Sequence, residues 1–175
     1  LLCVRLNRVL PDIINMTQSA FIAGRDIVEN IMIYQELVRK YNRKACSPRM
    51  IMKIDLKKAY DSVEWSCVEA MFEALGFPEQ FTQYIMTCLT SPFYSLNLNE
   101  NIFGFFKGKR GLRQGDPLSP LLFTCCMEYL SRLLNIIQEE PGFSFHPHCK
   151  LIKLNHLIFA DDLLLFSKGD VSSVR

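Results

Sequence analysis
Residues 157–166, Leu157-Ile158-Phe159-Ala160-Asp161-Asp162-Leu163-Leu164-Leu165-Phe166, leave the chain little freedom. Two apolar runs of strand length flank one polar break, and Asp161-Asp162 has the composition of a tight two-residue turn, so the stretch reads as a β-hairpin with acids at its tip. Two adjacent carboxylates raise each other's proton affinity unless a cation lies between them. By itself the pair reads first as a turn facing water, because Asp favours turns for local reasons. A metal site requires a third carboxylate and a loop that shapes a substrate.

The rest of the chain supplies candidates for both. Leu2, Leu6, Val9, Leu10, Ile13 and Ile14 recur at helical spacing, with Pro11 expected to kink or divide the helix. Asp26 and Glu29 make a capping-box-like start for a second helix, whose apolar face is Ile27, Ile31, Tyr34, Val38 and Tyr41. Arg39, Lys40, Arg43 and Lys44 crowd its end, as a solvated helix terminus or as a contact to backbone phosphate. Residues 50–55, Met-Ile-Met-Lys-Ile-Asp, form an almost wholly apolar run that predicts a central strand covered on both faces, ending on Asp55 as either a helix cap or a ligand. Helices follow on Trp65, Val68, Phe72 and Leu75, closed by Gly76 and Pro78, and on Phe81, Tyr84, Ile85, Cys88 and Leu89. Residues 93–98 and 102–106 predict another hairpin. The basic, glycine-punctuated loop 107–117 leads into a long helix whose face is Leu118, Leu121, Leu122, Cys125, Tyr129, Leu133 and Ile137, with Ser119 as cap and Pro120 at the first position.

Bulk properties exclude several classes. With 49% hydrophobic and 22% charged residues, the 175-residue chain is globular, not disordered. A net charge of +2 does not establish a nucleic-acid partner, although the cations cluster, as at Lys57-Lys58 and in residues 107–113. Seven Cys at irregular spacings fit reduced thiols better than a disulfide framework or a zinc pattern. His146, His148 and Cys149 are read as a solvated loop, since Pro147 intervenes and a fourth ligand is missing. No apolar run approaches the roughly eighteen residues of a membrane span. The chain starts on Leu1 in mid-pattern and stops just after a strand, which suggests a piece of something longer.

A strand ending in Asp55, a basic loop before a long helix and the acidic hairpin tip together supply the material for metal-dependent phosphoryl transfer. At these residues the sequence resembles the reverse transcriptases of non-LTR (LINE-type) retrotransposons, of a plant-like sort. Lys53-Ile54-Asp55-Leu56-Lys57-Lys58-Ala59-Tyr60-Asp61 is similar to the family's first catalytic motif, and Arg110-Gly111-Leu112-Arg113-Gln114-Gly115-Asp116-Pro117-Leu118-Ser119-Pro120 to its second. Phe159-Ala160-Asp161-Asp162 is similar to the third, and Gln18-Ser19-Ala20-Phe21-Ile22-Ala23-Gly24-Arg25 to the element that precedes the first.

The resemblance implies an α+β right-hand polymerase fold: a palm of small antiparallel sheet backed by helices, partial fingers and no thumb. Residues 1–48 and 63–113 are expected in the fingers, and 49–62 and 114–175 in the palm. It implies two magnesium ions, with manganese as a substitute, on Asp55 and Asp161, with Asp162 in support. Tyr60 is expected beneath the incoming sugar, where it excludes a 2′-hydroxyl; its alternative is a core aromatic. Gln114 and Gly115 are expected to contact the incoming nucleotide or template, Arg113 to neutralise phosphate, and Arg25, Lys109 and Arg110 to meet nucleic acid, with a solvated loop charge as the alternative for Arg110. The implied partners are an RNA template, a DNA primer, deoxynucleoside triphosphates and the endonuclease and thumb regions of a longer polyprotein, with no membrane. The implied location is the nucleus or cytoplasm, in a ribonucleoprotein and not secreted. The segment on its own is expected to be weakly active at best. A group II intron maturase-type enzyme and an inactive nucleic-acid-binding remnant are the alternatives.

Overall fold
In the computed structural model, which describes residues 1–39, 41 and 47–174, the chain runs α1 (Leu2–Ile13), α2 (Ile27–Val38), β1 (Arg49–Asp55), α3 (Ala59–Ser62), α4 (Trp65–Ala74), α5 (Glu79–Thr90), β2 (Phe93–Leu98), β3 (Asn101–Lys107), α6 (Ser119–Ile137), β4 (His156–Phe159), β5 (Asp162–Lys168) and α7 (Val171–Val174). The order is α+β. One antiparallel sheet has the strand order β1-β5-β4, and β2 pairs with β3 in a separate ribbon. Lys40, Arg43 and Lys44 lie outside the described residues.

The two apolar runs do form the hairpin, but the tight turn is Ala160-Asp161, and Asp162 is the first residue of β5, opposite Phe159. Packing sets this register. Leu163 and Ile158 face a core built from Leu6 and Leu10 of α1, Phe72 of α4, Ile85 of α5 and Leu122 of α6. Leu157 and Phe166 face the other way, onto Leu37 and Cys149. A slip of one residue would exchange the two faces, so burial on both sides fixes which acid ends the turn.

The continuous apolar run of β1 does not make it central. β5 holds the centre, and β1 is an edge strand with Met52 and Lys53 exposed. The outer side of β4 is closed by residues 17–19: Ile158 N–H donates to Thr17 O at 2.8 Å, and Ser19 N–H to Ile158 O at 3.1 Å. An extended loop thus acts as a fourth strand beside the hairpin.

Among the helices, Pro11 does not divide α1; it falls in the last turn, where only one intrahelical bond is at stake. Asp26 caps α2 as expected, its carboxylate accepting from Val28 N–H at 2.7 Å. The face read as apolar on α2 is not its buried side: Ile27, Ile31 and Tyr34 are exposed, while Asn30 and Leu37 are buried. In α6 the first turns bury Leu121, Leu122 and Cys125 as expected, but farther along the buried positions are Met127, Glu128 and Ser131, with Tyr129 and Leu133 outside. α6 is also long and apolar enough by composition to cross a membrane, which a search for an unbroken apolar run overlooks because Glu128, Ser131 and Arg132 interrupt it. Its buried apolar residues, Leu121, Leu122, Phe123, Cys125 and Met127, line the core. Ser119 is the first residue of α6 and not its cap; the N-cap is Leu118, without a side-chain cap bond, and Asp116 instead holds the turn before the helix, with Leu118 N–H donating to Asp116 Oδ1 at 3.0 Å.

The loop after α6 is not solvated throughout: His146 and Cys149 are fully buried. Buried His156 at the start of β4 ties three segments together. Its Nδ1 lies 2.6 Å from Asn155 Oδ1, an acceptor, so Nδ1 carries the proton and Nε2 accepts from the hydroxyls of Thr17 and Ser131 at 2.8 and 2.7 Å. Burial holds the His156 pKa down to about 4 from an ordinary 6.5. The folded state therefore favours the neutral ring and the unfolded chain takes up the proton first, so this contribution is full above pH 6.5 and is lost as pH falls towards 4. It amounts to about 3 kcal/mol. Melting temperatures followed from pH 7 to pH 4.5 are expected to fall, and His156→Gln to flatten that slope; an unchanged slope would remove His156 as its source.

Candidate active site
Asp55 ends β1 directly opposite Asp162, the first residue of β5. Directly opposed residues on neighbouring strands hold their Cβ atoms about 5 Å apart, so two acids more than a hundred positions apart in sequence share one patch, with Asp161 adjoining in the turn. Period-two alternation puts Lys53 on the same face, and its Nζ lies 2.9 Å from Asp162 Oδ1. The Lys53 pKa is raised, first by that hydrogen bond and by the charge of Asp162, then by Asp55 and Asp161. One ammonium group thus sits in the combined field of three carboxylates.

That ammonium marks where positive charge is stabilised, and it tests the fit of a metal. The donors are all carboxylate oxygens, the type that magnesium and manganese prefer. Among the described residues no group of three or more acidic, imidazole or thiol side chains is placed to hold a metal ion by itself. An ion of the magnesium type needs only a few protein carboxylates, because waters and substrate phosphates supply its remaining ligands. Asp55 is exposed and Asp161 and Asp162 are half-buried, open to an incoming molecule.

Tyr60 follows from the same strand end. Lys58 takes a left-handed conformation, φ +53°, which turns the chain into α3 and brings Tyr60 back over the core. Its ring stacks on Phe123 of α6, with centroids 4.8 Å apart and planes at 13°. Burial raises its hydroxyl pKa, and the charge of Asp161 adds to the effect. The half-buried phenol is therefore both a packing aromatic and a neighbour of the acidic turn.

The basic loop is strapped to this region by its backbone. Gly111 N–H donates to Val63 O at 2.8 Å, Leu112 N–H to Tyr60 O at 2.9 Å, and Trp65 Nε1–H to Gly111 O at 2.8 Å. Gly111 is required: its φ is +88°, and a Cβ there would meet Asp61 O at 3.1 Å. Beyond it, Gln114 and Gly115 are exposed at the loop's tip, where Gly115 has φ +87°. Arg110 is exposed and 3.5 Å from Glu64, and Lys109 is exposed. Arg113 is tied into the scaffold, 2.7 Å from Asp116 Oδ2 and 3.4 Å from Cys88 O at the end of α5.

Arg25 has a role different from the expected contact with nucleic acid. Its guanidinium donates to four backbone carbonyls, Pro11, Ile14, Asn15 and Gln18, at 2.6–3.0 Å. These are the open carbonyls at the end of α1 and the loop after it, so the planar fork of Arg serves as a C-terminal cap. Burial lowers its pKa, and Glu128 opposes that shift.

Two residues escaped sequence reasoning. Lys53 was legible as a lone cation two positions before the acid, on the same strand face. Gln18 gave no such signal, because its meaning depends on the closure of residues 17–19 against β4. On the Lys53 face the sheet also borders an open groove of about 690 Å³, walled by Ile27, Ile31 and Tyr34 of α2 and by Phe159 and Asp162.

Three comparisons with known proteins bear on this arrangement. Residues 1–174 match the family model described as reverse transcriptase (RNA-dependent DNA polymerase). The retrovirus-related Pol polyprotein from type-1 retrotransposable element R2 of Popillia japonica is 30% identical over 142 residues, 81% of this chain and 22% of that protein. The corresponding polyprotein of Nasonia vitripennis is 31% identical over 156 residues, 89% of this chain and 14% of that protein. The chain thus spans less than a quarter of either relative. Among solved structures, apo telomerase from Candida tropicalis, truncated from its C-terminal domain, superposes on 99% of this chain and 34% of its own length, with a TM-score of 0.62 at 13% identity. That likeness is one of fold, the right-hand polymerase palm.

Proposed function
The chain belongs to the reverse transcriptase family, of the kind found in non-LTR retrotransposons, and from that premise we propose that it carries the reaction centre of an RNA-directed DNA polymerase. The reaction is transfer of a nucleotide from a deoxynucleoside triphosphate to a primer 3′-hydroxyl on an RNA template, in retrotransposition. The observation that carries this reading is the pairing of Asp55 with Asp162 beside Asp161, around the Lys53 ammonium.

Divalent ions, magnesium or manganese, when bound supply polarisation of the attacking hydroxyl and neutralisation of the leaving pyrophosphate. Asp55 and Asp161 would provide the principal anionic oxygens for such ions, and Asp162 would support them from the head of β5. Lys53 balances the charge of the three carboxylates. The flat ring of Tyr60, held on Phe123, forms the floor beneath the sugar and leaves no room for a 2′-hydroxyl. Gln114 and Gly115, exposed ahead of α6, present polar and backbone groups to nucleotide or template, and Lys109 and Arg110 attract phosphate. Arg113 acts through Asp116 by fixing the turn that leads into α6.

In the fold's terms, residues 49–62 and 114–175 form the palm, and 1–48 and 63–113 belong to the fingers. The partners are an RNA template, a DNA primer and further regions of a longer polyprotein. Primer extension by the polymerase carrying this segment, on an RNA template with all four deoxynucleotides and magnesium, tests the reading. Incorporation directed by the template is expected. RNA binding without incorporation would instead indicate a nucleic-acid-binding remnant.

A further inference from the structure
The two-residue turn that carries Asp161 is held in a conformation it does not prefer. Ala160 has φ +55° while Asp161 is absent from the positive-φ residues, so the positive φ falls only on the first of the two loop residues. That pattern belongs to a type II′ turn, which favours glycine at this position because a Cβ is crowded there. The Phe159–Asp162 pair closes the ladder on either side, and the Ala160 N–H must find its partner elsewhere.

It finds Gln18. Ala160 N–H donates to Gln18 Oε1 at 3.3 Å, and Ala20 N–H donates to the same oxygen at 2.9 Å. Two backbone donors on one atom establish which end of the carboxamide is oxygen. Gln18 is 2% exposed, and its Nε2 meets no acceptor among the described residues. Burying that amide group costs stability, so the residue is not a simple packing element.

Its backbone is anchored from three directions. Gln18 O accepts from Arg25 at 2.8 Å, and the flanking Thr17 and Ser19 bracket Ile158 in a two-bond bridge. Asn30 of α2 locks the bridge, accepting from Ser19 Oγ at 2.9 Å and donating to Ile158 O at 3.2 Å. The clasp on Ala160 therefore rests on α1, α2 and β4 at once.

We propose that Gln18 is a positioning residue of the reaction centre: its buried carboxamide oxygen receives the Ala160 amide and holds the Ala160-Asp161 turn in the strained conformation that aims the Asp161 carboxylate. This rests on the reading of Asp161 as a metal-binding acid. Gln18 touches no reacting atom. Its effect passes through the turn.

The test uses the polymerase carrying this segment, with an RNA template and a DNA primer. Gln18→Met keeps length and volume but removes the acceptor. Misplacing a reacting group by about 1 Å costs on the order of a hundredfold, so kcat is expected to fall by about that factor, while KM for the deoxynucleotide and primer-template affinity stay within about threefold. Adding Ala160→Gly, which takes up positive φ without a Cβ clash, is expected to restore at least about tenfold of the loss. Hydrogen exchange of the Ala160 amide in the unaltered protein gives a reading independent of any variant and of activity; it is expected to be protected as strand amides are. Wild-type turnover in Gln18→Met, a loss that Ala160→Gly leaves untouched, or an Ala160 amide exchanging like that of an exposed loop overturns the proposal. Asp161→Asn separates the two levels: retained activity there defeats the underlying reading, whereas a failed Gln18 test leaves it standing.

Discussion
Asp161→Asn is expected to lower nucleotide incorporation by about a thousandfold or more while leaving RNA binding within a few-fold of the wild type. The substitution is nearly isosteric at a half-buried turn position, and Asn suits turns as well as Asp does, so the hairpin should form unchanged. What disappears is one anionic oxygen donor from a patch that has only three acids, Asp55, Asp161 and Asp162. If these acids form the proposed reaction centre, removing one preorganised charge costs several kcal/mol of transition-state stabilisation, each 1.4 kcal/mol being about tenfold in rate. Single-nucleotide extension and filter binding on one preparation separate catalysis from binding. Incorporation at the wild-type rate would remove Asp161 from the reaction centre.

Tyr60→Val should open the site to ribonucleotides. The ring lies nearly parallel to Phe123, on the side of the structure that feels the charge of Asp161, so its removal clears a volume next to the acids. A wall that excludes one hydroxyl by contact discriminates by about a hundredfold, and a shorter side chain gives up most of that ratio. The ratio of kcat/KM for a deoxynucleotide to that for its ribonucleotide counterpart is the quantity to measure. The same change empties part of the Phe123 contact and should cost about 2–3 kcal/mol of stability, so melting and selectivity must be read on the same sample. Unchanged sugar discrimination in a folded variant would reduce Tyr60 to a core aromatic.

Local chemistry accounts for what was legible in the sequence. The Asp26 cap, the Gly76 stop with φ +77°, and the Asn99-Glu100 turn with both φ values positive each depend on residues a few positions apart. The acidic hairpin was legible as an element, and Asp55 as its distant counterpart, because a strand that ends on an acid is visible in one dimension. What stayed hidden depends on partners. Asp161 and Asp162 are indistinguishable until β5 acquires its register against β1, and only then does one acid become the turn and the other a strand residue. The apolar run of β1 resembles a central strand, yet pairing order is a property of the sheet, and β1 lies at its edge. The exposed stripe on α2 has helical periodicity but borders a groove, so periodicity identified the helix and misassigned the side that packs. Arg25 was expected to meet nucleic acid because the α1 carbonyls that claim its guanidinium cannot be seen without the fold.

The register that joins Asp55 to Asp162 also has a consequence for how the protein reaches its native state. The β1–β5 ladder pairs residues about a hundred positions apart, the costliest kind of contact to form early, because the intervening chain must lose its freedom before the ladder contributes stability. During synthesis β1 leaves the ribosome long before β5 exists, with an apolar strand and both of its edges unpaired. Helices α4 to α6 can associate in that interval, but the acidic patch is assembled only when the last strand inserts between β1 and β4. The acidic patch therefore cannot assemble before β5 has been made, and until then β1 waits with an apolar strand edge open to self-association.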